Sequence, residues 1–284
     1  SIKMVQDITT NDVIMGNDST PRKVLKVFNG KEKMYNIIPV KGDSFTVTSN
    51  HVLSLKFKHH TVKEKEKTVN YTVNDFLSMS GILKTKSKLY RTGVEFKEKP
   101  IFIEPYFLGI WLGDGNSADQ RITTLDHEIV DYLQYYGSKL GLVLKQHSHE
   151  SEYEAHLYSI SNGCIGNKNN ILLESLRNLN LINNKHIPID YKINSRRVRL
   201  QLLAGLIDTD GYVDSKKHYI EIAQKSTKLR DDILYLTRSL GFASYSKIKT
   251  VNGVDYHRIN ISGDINEIPT KIKIGGRIYR VEIQ

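Results

Sequence analysis

Two apolar runs of helical length stand out along the chain, and each ends in an Asp-Gly pair. The first is Phe107-Leu108-Gly109-Ile110-Trp111-Leu112-Gly113-Asp114-Gly115, and the second is Leu203-Ala204-Gly205-Leu206-Ile207-Asp208-Thr209-Asp210-Gly211, 96 residues later. An apolar helix that closes on a carboxylate is costly unless the carboxylate has a partner. The segments downstream of the two runs repeat as well. After Asp114 the pattern predicts a strand at Arg121–Thr124, a helix ending Ser138-Lys139-Leu140-Gly141, and strands over 142–147 and 155–161. After Asp210 it predicts a strand at 219–223, a helix over 229–239 closed by Leu240-Gly241, and strands over 244–250 and 256–262. Both helices carry apolar residues at helical spacing (Ile129, Leu133, Tyr136, Leu140; Ile233, Leu236, Leu240) with Gly directly after, as a left-handed cap requires. The Asp-to-Gly intervals are 27 and 31 residues. Such a matched series of α-β-α-β-β units implies two similar halves related by a pseudo-twofold axis.

The flanks read differently. Residues 1–55 alternate as short strands, Val24–Phe28, Met34–Val40 and Ser44–Thr48, with Gly30 and Gly42-Asp43 as turns. Residues 275–284 look like one more strand of that region. The stretch 56–100 holds 11 Lys/Arg against 5 Asp/Glu, including the run Lys63-Glu64-Lys65-Glu66-Lys67, and reads as a basic connector or DNA-contacting arm. The expected fold class is α+β: two αββαββ-like halves, 101–195 and 196–274, beside a partial all-β domain of residues 1–55 and 275–284.

Charge and cysteine content narrow the function. A net charge of +10 over 284 residues favours a polyanionic partner, most simply nucleic acid. The single cysteine, Cys164, excludes an internal disulfide and a cysteine-based zinc site, and fits an intracellular compartment. The apolar runs are far shorter than the roughly 18 residues of a membrane span, and the N-terminus has no signal-peptide pattern.

The candidate chemistry comes from the two runs. Gly109 and Gly205 lack a Cβ, so helices packed through those faces can approach closely and bring Asp114 and Asp210 together. Two nearby carboxylates repel unless a cation lies between them. Carboxylates and backbone carbonyls suit a hard divalent ion, Mg²⁺ above all, which docks phosphate and activates water. Lys185, between the halves, could neutralise developing phosphate charge. Period-2 alternation leaves polar faces: Arg121, Thr123, Lys145, His147 and His156 in the first half, and Glu221, Gln224, Lys225, Lys247, Lys249 and Arg258 in the second. Of these, Arg121, Lys145, His147, Lys225, Lys247, Lys249 and Arg258 are the candidate DNA contacts. A two-stranded ribbon fits the DNA major groove. Eight-residue strands of about 26 Å, end to end in two sheets, would cover roughly 16 base pairs.

At these residues the chain resembles the LAGLIDADG homing endonucleases, of the single-chain, two-motif kind found in inteins. Leu203–Gly211 departs from the family motif at Thr209, and Pro105–Gly115 is similar to its first copy. The resemblance implies a monomeric, Mg²⁺-dependent endonuclease (Mn²⁺ substituting) that cuts both strands of a long double-stranded DNA target. It implies metal binding by Asp114 and Asp210, with the carbonyls of Gly113 and Thr209 as helpers. It also implies that Lys185, in a Lys-x-Ile-Pro segment, tunes the active-site water, with Lys271 the stand-in in the second half. Residues 1–55 are similar to the Hint splicing fold, where Thr48 and His51 would be vestigial splicing residues. With no Cys at position 1 and no His-Asn at the end, the expectation is a trimmed intein that does not splice alone. Two alternatives remain open: a DNA-binding protein or RNA maturase that does not cut, and an active splicing element in an untrimmed parent.

Overall fold

The computed structural model describes residues 2–57, 68–147, 156–162, 170–214 and 218–272. The chain divides between Thr92 and Gly93 into two compact units. The lysine-glutamate run at 63–67, Cys164 and the expected strand at 275–284 lie outside the described residues.

The N-terminal unit is built of short antiparallel pairs. Strands β1 (Val13–Met15) and β2 (Pro21–Lys23) form one hairpin, and β3 (Met34–Ile37) and β4 (Phe45–Thr48) a second. A third sheet has β5 (Val52–Phe57) between β6 (Thr68–Thr72) and β7 (Ser87–Leu89). Helices α1 (Val73–Ser78) and α2 (Gly81–Lys86) lie between β6 and β7 in sequence. Thr72 and Asp75 close a reciprocal capping box at the start of α1. Leu53, Leu55 and Val73 are buried, with Tyr35, Ile37, Phe45, Val47, Tyr71 and Phe76 around them.

Two expectations fail in this unit. Residues 24–28 form no strand, because their neighbour β1 is only three residues long and its pairing is used by β2. The stretch 56–100 is not a connector: its described residues continue β5 and build β6, α1, α2 and β7. Among the described residues Lys86 and Lys88 face solvent, Val69 pairs with Leu55 of β5, and Tyr71, Val73 and Phe76 pack in the small core that β5 contributes to.

The second unit begins with α3 (Pro105–Asp114), whose residues Pro105–Leu112 are all buried. A helix apolar on every side belongs in a core, and Pro at the first turn gives up no hydrogen bond. It is followed by β8 (Ile122–Thr124), α4 (His127–Lys139), β9 (Val143–His147) and β10 (His156–Ser161). Helices α5 (Ile171–Asn178) and α6 (Ile189–Lys192) lead to α7 (Arg196–Asp210), and then come β11 (Gly211–Asp214), β12 (Tyr219–Gln224), α8 (Thr227–Ser239), β13 (Ala243–Val251) and β14 (Val254–Ser262). The predicted helices and strands of both repeats therefore form. Gly141 and Gly241, at φ +68° and +90°, take the left-handed conformation that ends α4 and α8. Asn252-Gly253, both at positive φ, make the two-residue turn of the β13–β14 hairpin.

The sheets are antiparallel, ordered β8-β10-β9 in the first half and β11-β12-β14-β13 in the second. In the second, Ile220, Ile222, Ile259 and Ile261 point to one face and are buried with Leu229, Ile233 and Leu236 of α8. Among the described residues the opposite face carries no helix of this half. The extra strand β11 runs straight out of α7, pairing Gly211 with Ile222. In the first half the same place holds a single bridge, Gly115 to Ile122. Strands β13 and β14 have nine residues, whereas β9 and β10 have five and six.

Candidate active site and nucleic-acid face

The site starts from how closely α3 and α7 meet. A Cβ added at Gly109 would lie 2.3 Å from the Leu202 carbonyl oxygen and 2.9 Å from Gly205 Cα. One added at Gly205 would lie 2.3 Å from the Tyr106 carbonyl oxygen and 2.9 Å from Gly109 Cα. The contact is reciprocal at the same offset of 96 residues, so the two helices run parallel with matched ends. At those ends a Cβ on Gly113 would fall 2.0 Å from Thr209 Oγ1 and 3.4 Å from the carboxyl carbon of Asp210. Asp114, the next residue, and Asp210 are both half-buried.

Lys185 closes this end of the helix pair. Its ammonium donates to the carbonyls of Gly113 (3.1 Å) and Gly115 (2.7 Å), and lies 5.2 Å from the centre of the Trp111 ring. Burial lowers its pKa to about 8, while the charges of Asp210 and Asp114 work in the opposite direction. Lys185 therefore feels both acids. The side-chain amide of Gln224 donates to Asp210 Oδ2. By strand register the counterpart of Gln224 in the first half is Thr124, whose hydroxyl instead accepts from the backbone of Asp126 at the start of α4.

The donors gathered here are all oxygen: two carboxylates and main-chain carbonyls. That set fits a hard divalent ion better than a soft one. Among the described residues no group of three or more His, Cys, Asp or Glu side chains is poised to hold a metal, so an ion here would lean on carbonyls, water or phosphate for its remaining ligands. The Gly113 carbonyl is already an acceptor for Lys185. The Thr209 hydroxyl is spent on its own helix, donating toward the Gly205 and Leu206 carbonyls.

Lys271 does not join this cluster as the second-half lysine. Its ammonium stands over the rings of Tyr106 (5.0 Å) and Tyr132 (5.3 Å), and its backbone N–H donates to Asp208. Asp208 is buried and also accepts from the Tyr106 hydroxyl at 2.7 Å. The first acid of the second motif thus fastens the segment after Pro269 to both helices, and the position of Lys271 is set by that anchoring.

The candidate DNA contacts fall on the helix-free sheet faces. In the second half Lys247, Lys249 and Arg258 share a face, with Lys247 opposite Arg258 in register, and exposed Lys225 follows the end of β12. In the first half Lys145 and His147 share a face, and Arg121 leads into it from the start of β8. The His147 ring contacts the Ser159 hydroxyl at 2.7 Å. Two residues grouped with them belong elsewhere: His156 lies on the side of β10 that carries Tyr158, and Gln224 lies on the face of β12 that carries Ile220 and Ile222, where it meets Asp210. Gln224 has the parity of Ile220 and Ile222, opposite to that of Glu221, so grouping it with the base-facing residues is corrected by the register, and the proximity of α7 gives it a carboxylate. In the N-terminal unit Thr48 ends β4 and its carbonyl accepts from the His51 N–H at 3.2 Å, with His51 exposed.

Comparison with known proteins bears on this geometry. Residues 197–272, from α7 onward, match the family described as LAGLIDADG-like domain. Residues 1–98 match Hom_end-associated Hint. The part from α7 onward is thus similar to LAGLIDADG-like domains, and the N-terminal part to the Hint region associated with homing endonucleases. The chain is 31% identical over 160 residues to the replicative DNA helicase DnaB of Mycobacterium intracellulare, covering 56% of this chain and 23% of that one. It is 26% identical over 259 residues to the ATP-dependent DNA helicase Hel308 of Methanocaldococcus jannaschii, covering 86% of this chain and 20% of that one. It spans about a fifth of the length of these curated relatives. Among solved structures it is similar to the homing endonuclease I-DmoI in complex with DNA and Ca, at 16% identity and a TM-score of 0.41, over 56% of this chain and 82% of that one. A mesophilic variant of I-DmoI gives 15% identity and a TM-score of 0.41 over the same shares. Among the described residues no helix is long and apolar enough to cross a membrane.

Proposed function

We propose that this chain is a site-specific endonuclease that cuts both strands of a long double-stranded DNA target with a divalent metal, acting inside the cell as a monomer. The observation that supports the reading is the reciprocal Gly109–Gly205 helix contact, with both Asp114 and Asp210 acting electrostatically on Lys185. A bound Mg²⁺ or Mn²⁺ would supply charge stabilisation at phosphate and a more acidic water. Asp114 and Asp210 would hold it, with the carbonyls of Gly113 and Thr209 as candidate helpers. Gln224 fixes the rotamer of Asp210. Lys185 holds a proton at Nζ that can be offered to developing charge on the phosphate, and its pKa near 8 makes that proton easier to give than an ordinary lysine's. Lys145, Lys247, Lys249, Lys225 and His147, with Arg121 and Arg258, provide the cationic sheet faces for the duplex.

The test is cleavage of a randomised duplex library in Mg²⁺, with Ca²⁺ in parallel, followed by sequencing of the cut ends. Discrete cuts in Mg²⁺ at one long site are the expected result. Retention of a discrete site in both ions, with no cutting in either, would overturn the endonuclease reading in favour of a binding protein. Binding should also weaken steeply with salt as lysines on the sheets release counterions from DNA phosphates.

A further inference from the structure

Each half of the second unit holds one arginine in the same unusual way. Arg258 directs Nε and Nη2 to one oxygen of Glu221, at 2.6 and 2.5 Å. Arg121 directs Nε and Nη2 to one oxygen of Asp119, both at 2.7 Å. The exposures match: the arginine side chains are 41% and 37% exposed, and their carboxylates 14% and 13%. In each pair the acid is sunk into the surface and the guanidinium stands above it.

The chemistry of the guanidinium gives this arrangement a direction. Its five N–H groups lie in one plane in a rigid fork. A carboxylate on the Nε–Nη2 edge consumes two of them and leaves the end edge, with one N–H from Nη1 and one from Nη2 running parallel. That end edge matches the two acceptors N7 and O6 of guanine in the major groove. On β12 the register neighbour of Arg258 is exposed Ala223, too small to cover that edge, and on β13 it is Lys247, a cation with no acceptor to offer it. At Arg121 the buttress is itself anchored: Asp119 Oδ1 accepts from the Arg121 N–H at 2.9 Å, and the Asp119 carbonyl accepts from Trp111 Nε1 at 2.7 Å. Trp111 belongs to α3 and lies beneath Lys185, so this arginine is fixed relative to the candidate active site. Exposed ion pairs of this kind add little to stability, which leaves orientation as the physical consequence of the pairing. Lys145, Lys247 and Lys249 have no such edge to present and act as point charges.

We infer that Arg121 and Arg258 are specificity-determining residues, each held by its carboxylate to read one guanine, so that the target requires a G at one position in each half-site. The inference rests on the proposed DNA-binding function. The experiment is selection of the full chain on a randomised duplex library in Ca²⁺, comparing the wild type with Arg258→Lys, Arg121→Lys, Glu221→Gln and Asp119→Asn. The wild type should enrich a discrete site with one dominant G in each half. Arg258→Lys should relax one of those positions by on the order of ten- to a hundredfold and leave the others unchanged, and Arg121→Lys should do the same in the other half. Glu221→Gln and Asp119→Asn should blur the same two positions, and they keep the test decisive if a lysine variant melts early. A discrete site that is unchanged in all four variants, or weakened evenly at every position as loss of a phosphate contact would do, overturns the inference alone. Failure of the wild type to enrich any site overturns the DNA-binding function and this inference with it.

Discussion

The two halves of the second unit share a helical frame and differ in the sheets, lysines and amides set around it. Both send an apolar helix into the common core and both end it on Asp-Gly. The helices touch through Gly109 and Gly205, where a Cβ on either would come within 2.3 Å of the facing backbone. Beyond that contact the symmetry is partial: each half keeps a glycine-capped helix and one buttressed arginine, and the rest diverges. The second half has a four-stranded sheet with nine-residue strands, and the first a three-stranded sheet with strands of five and six. Lys185 serves the junction from one side, while Lys271 is taken up by Tyr106 and Tyr132. Asp210 has an amide partner in Gln224, where the first half offers Thr124. Helix contact tolerates no variation because backbone meets backbone, whereas a sheet edge or a lysine can change without disturbing the core. The halves are therefore equal where the helices pack and unequal in the lysine and amide that stand at the helix ends.

The comparison can be broken most forcefully at the acids. Asp114→Asn and Asp210→Asn should each abolish detectable cleavage, a loss on the order of a thousandfold or more, with binding largely retained. Double-strand cutting that survives either change at more than about a tenth of the wild-type rate would end the shared role, because the two are expected to act as one. The next largest effect falls on stability. Gly109→Ala and Gly205→Ala should each cost about 3 kcal/mol, the upper end for overpacking, since the new methyl meets backbone on the facing helix. Gly137→Ala is the control: its nearest neighbour is a side-chain methyl of Ile160 at 3.2 Å, which can give way, and urea unfolding should place it within about 1 kcal/mol of the wild type.

The lysines sharpen the inequality. Lys185→Met should slow cleavage about a hundredfold, in the range of a lost proton donor, and leave the unfolding midpoint near the wild-type value. Lys271→Met should do the reverse, sparing cleavage and lowering stability by about 1 kcal/mol through the lost contact with two aromatic rings. Equal effects of the two substitutions on single-turnover cleavage would show that the halves are chemically symmetric after all. The smallest effect is expected at the partner of Asp210. Gln224→Ala should reduce cleavage by about tenfold, the scale of one hydrogen bond to a charged group, and Thr124→Ala should leave it unchanged.

Much of this frame was legible in the sequence, for identifiable reasons. The two motifs could be read because an apolar run ending in Asp-Gly has few stable outcomes, and because the same series of helix, strand and glycine cap recurred after each. Gly141 and Gly241 marked the helix ends through a conformation few other residues accept. The N-terminal unit was less legible. Lysine-rich composition concealed the layer of β6, α1, α2 and β7, since its apolar residues Val69, Tyr71, Val73 and Phe76 are scattered among charges. Residues 24–28 have strand-forming side chains and no strand to pair with, and β structure needs both. At the site, Asp114, Asp210 and Lys185 carried sequence signals in the motifs and in Lys-x-Ile-Pro. Gln224 carried none beyond its place at the end of a strand.

The sequence by itself determined the two helices, their acids and glycines, the order of elements in each half and the positive charge, because these depend on local periodicity and on side chains that are costly in any other setting. The tertiary structure decided which groups became partners: Gln224 with Asp210, Lys185 with the Gly113 and Gly115 carbonyls, Asp208 with Tyr106 and the segment after Pro269, and each buttressed arginine with its acid. Most of those pairings join residues from separate elements, and no local rule fixes them. They exist because the close contact of two glycines brings the ends of two helices together and leaves the surrounding polar groups to find one another.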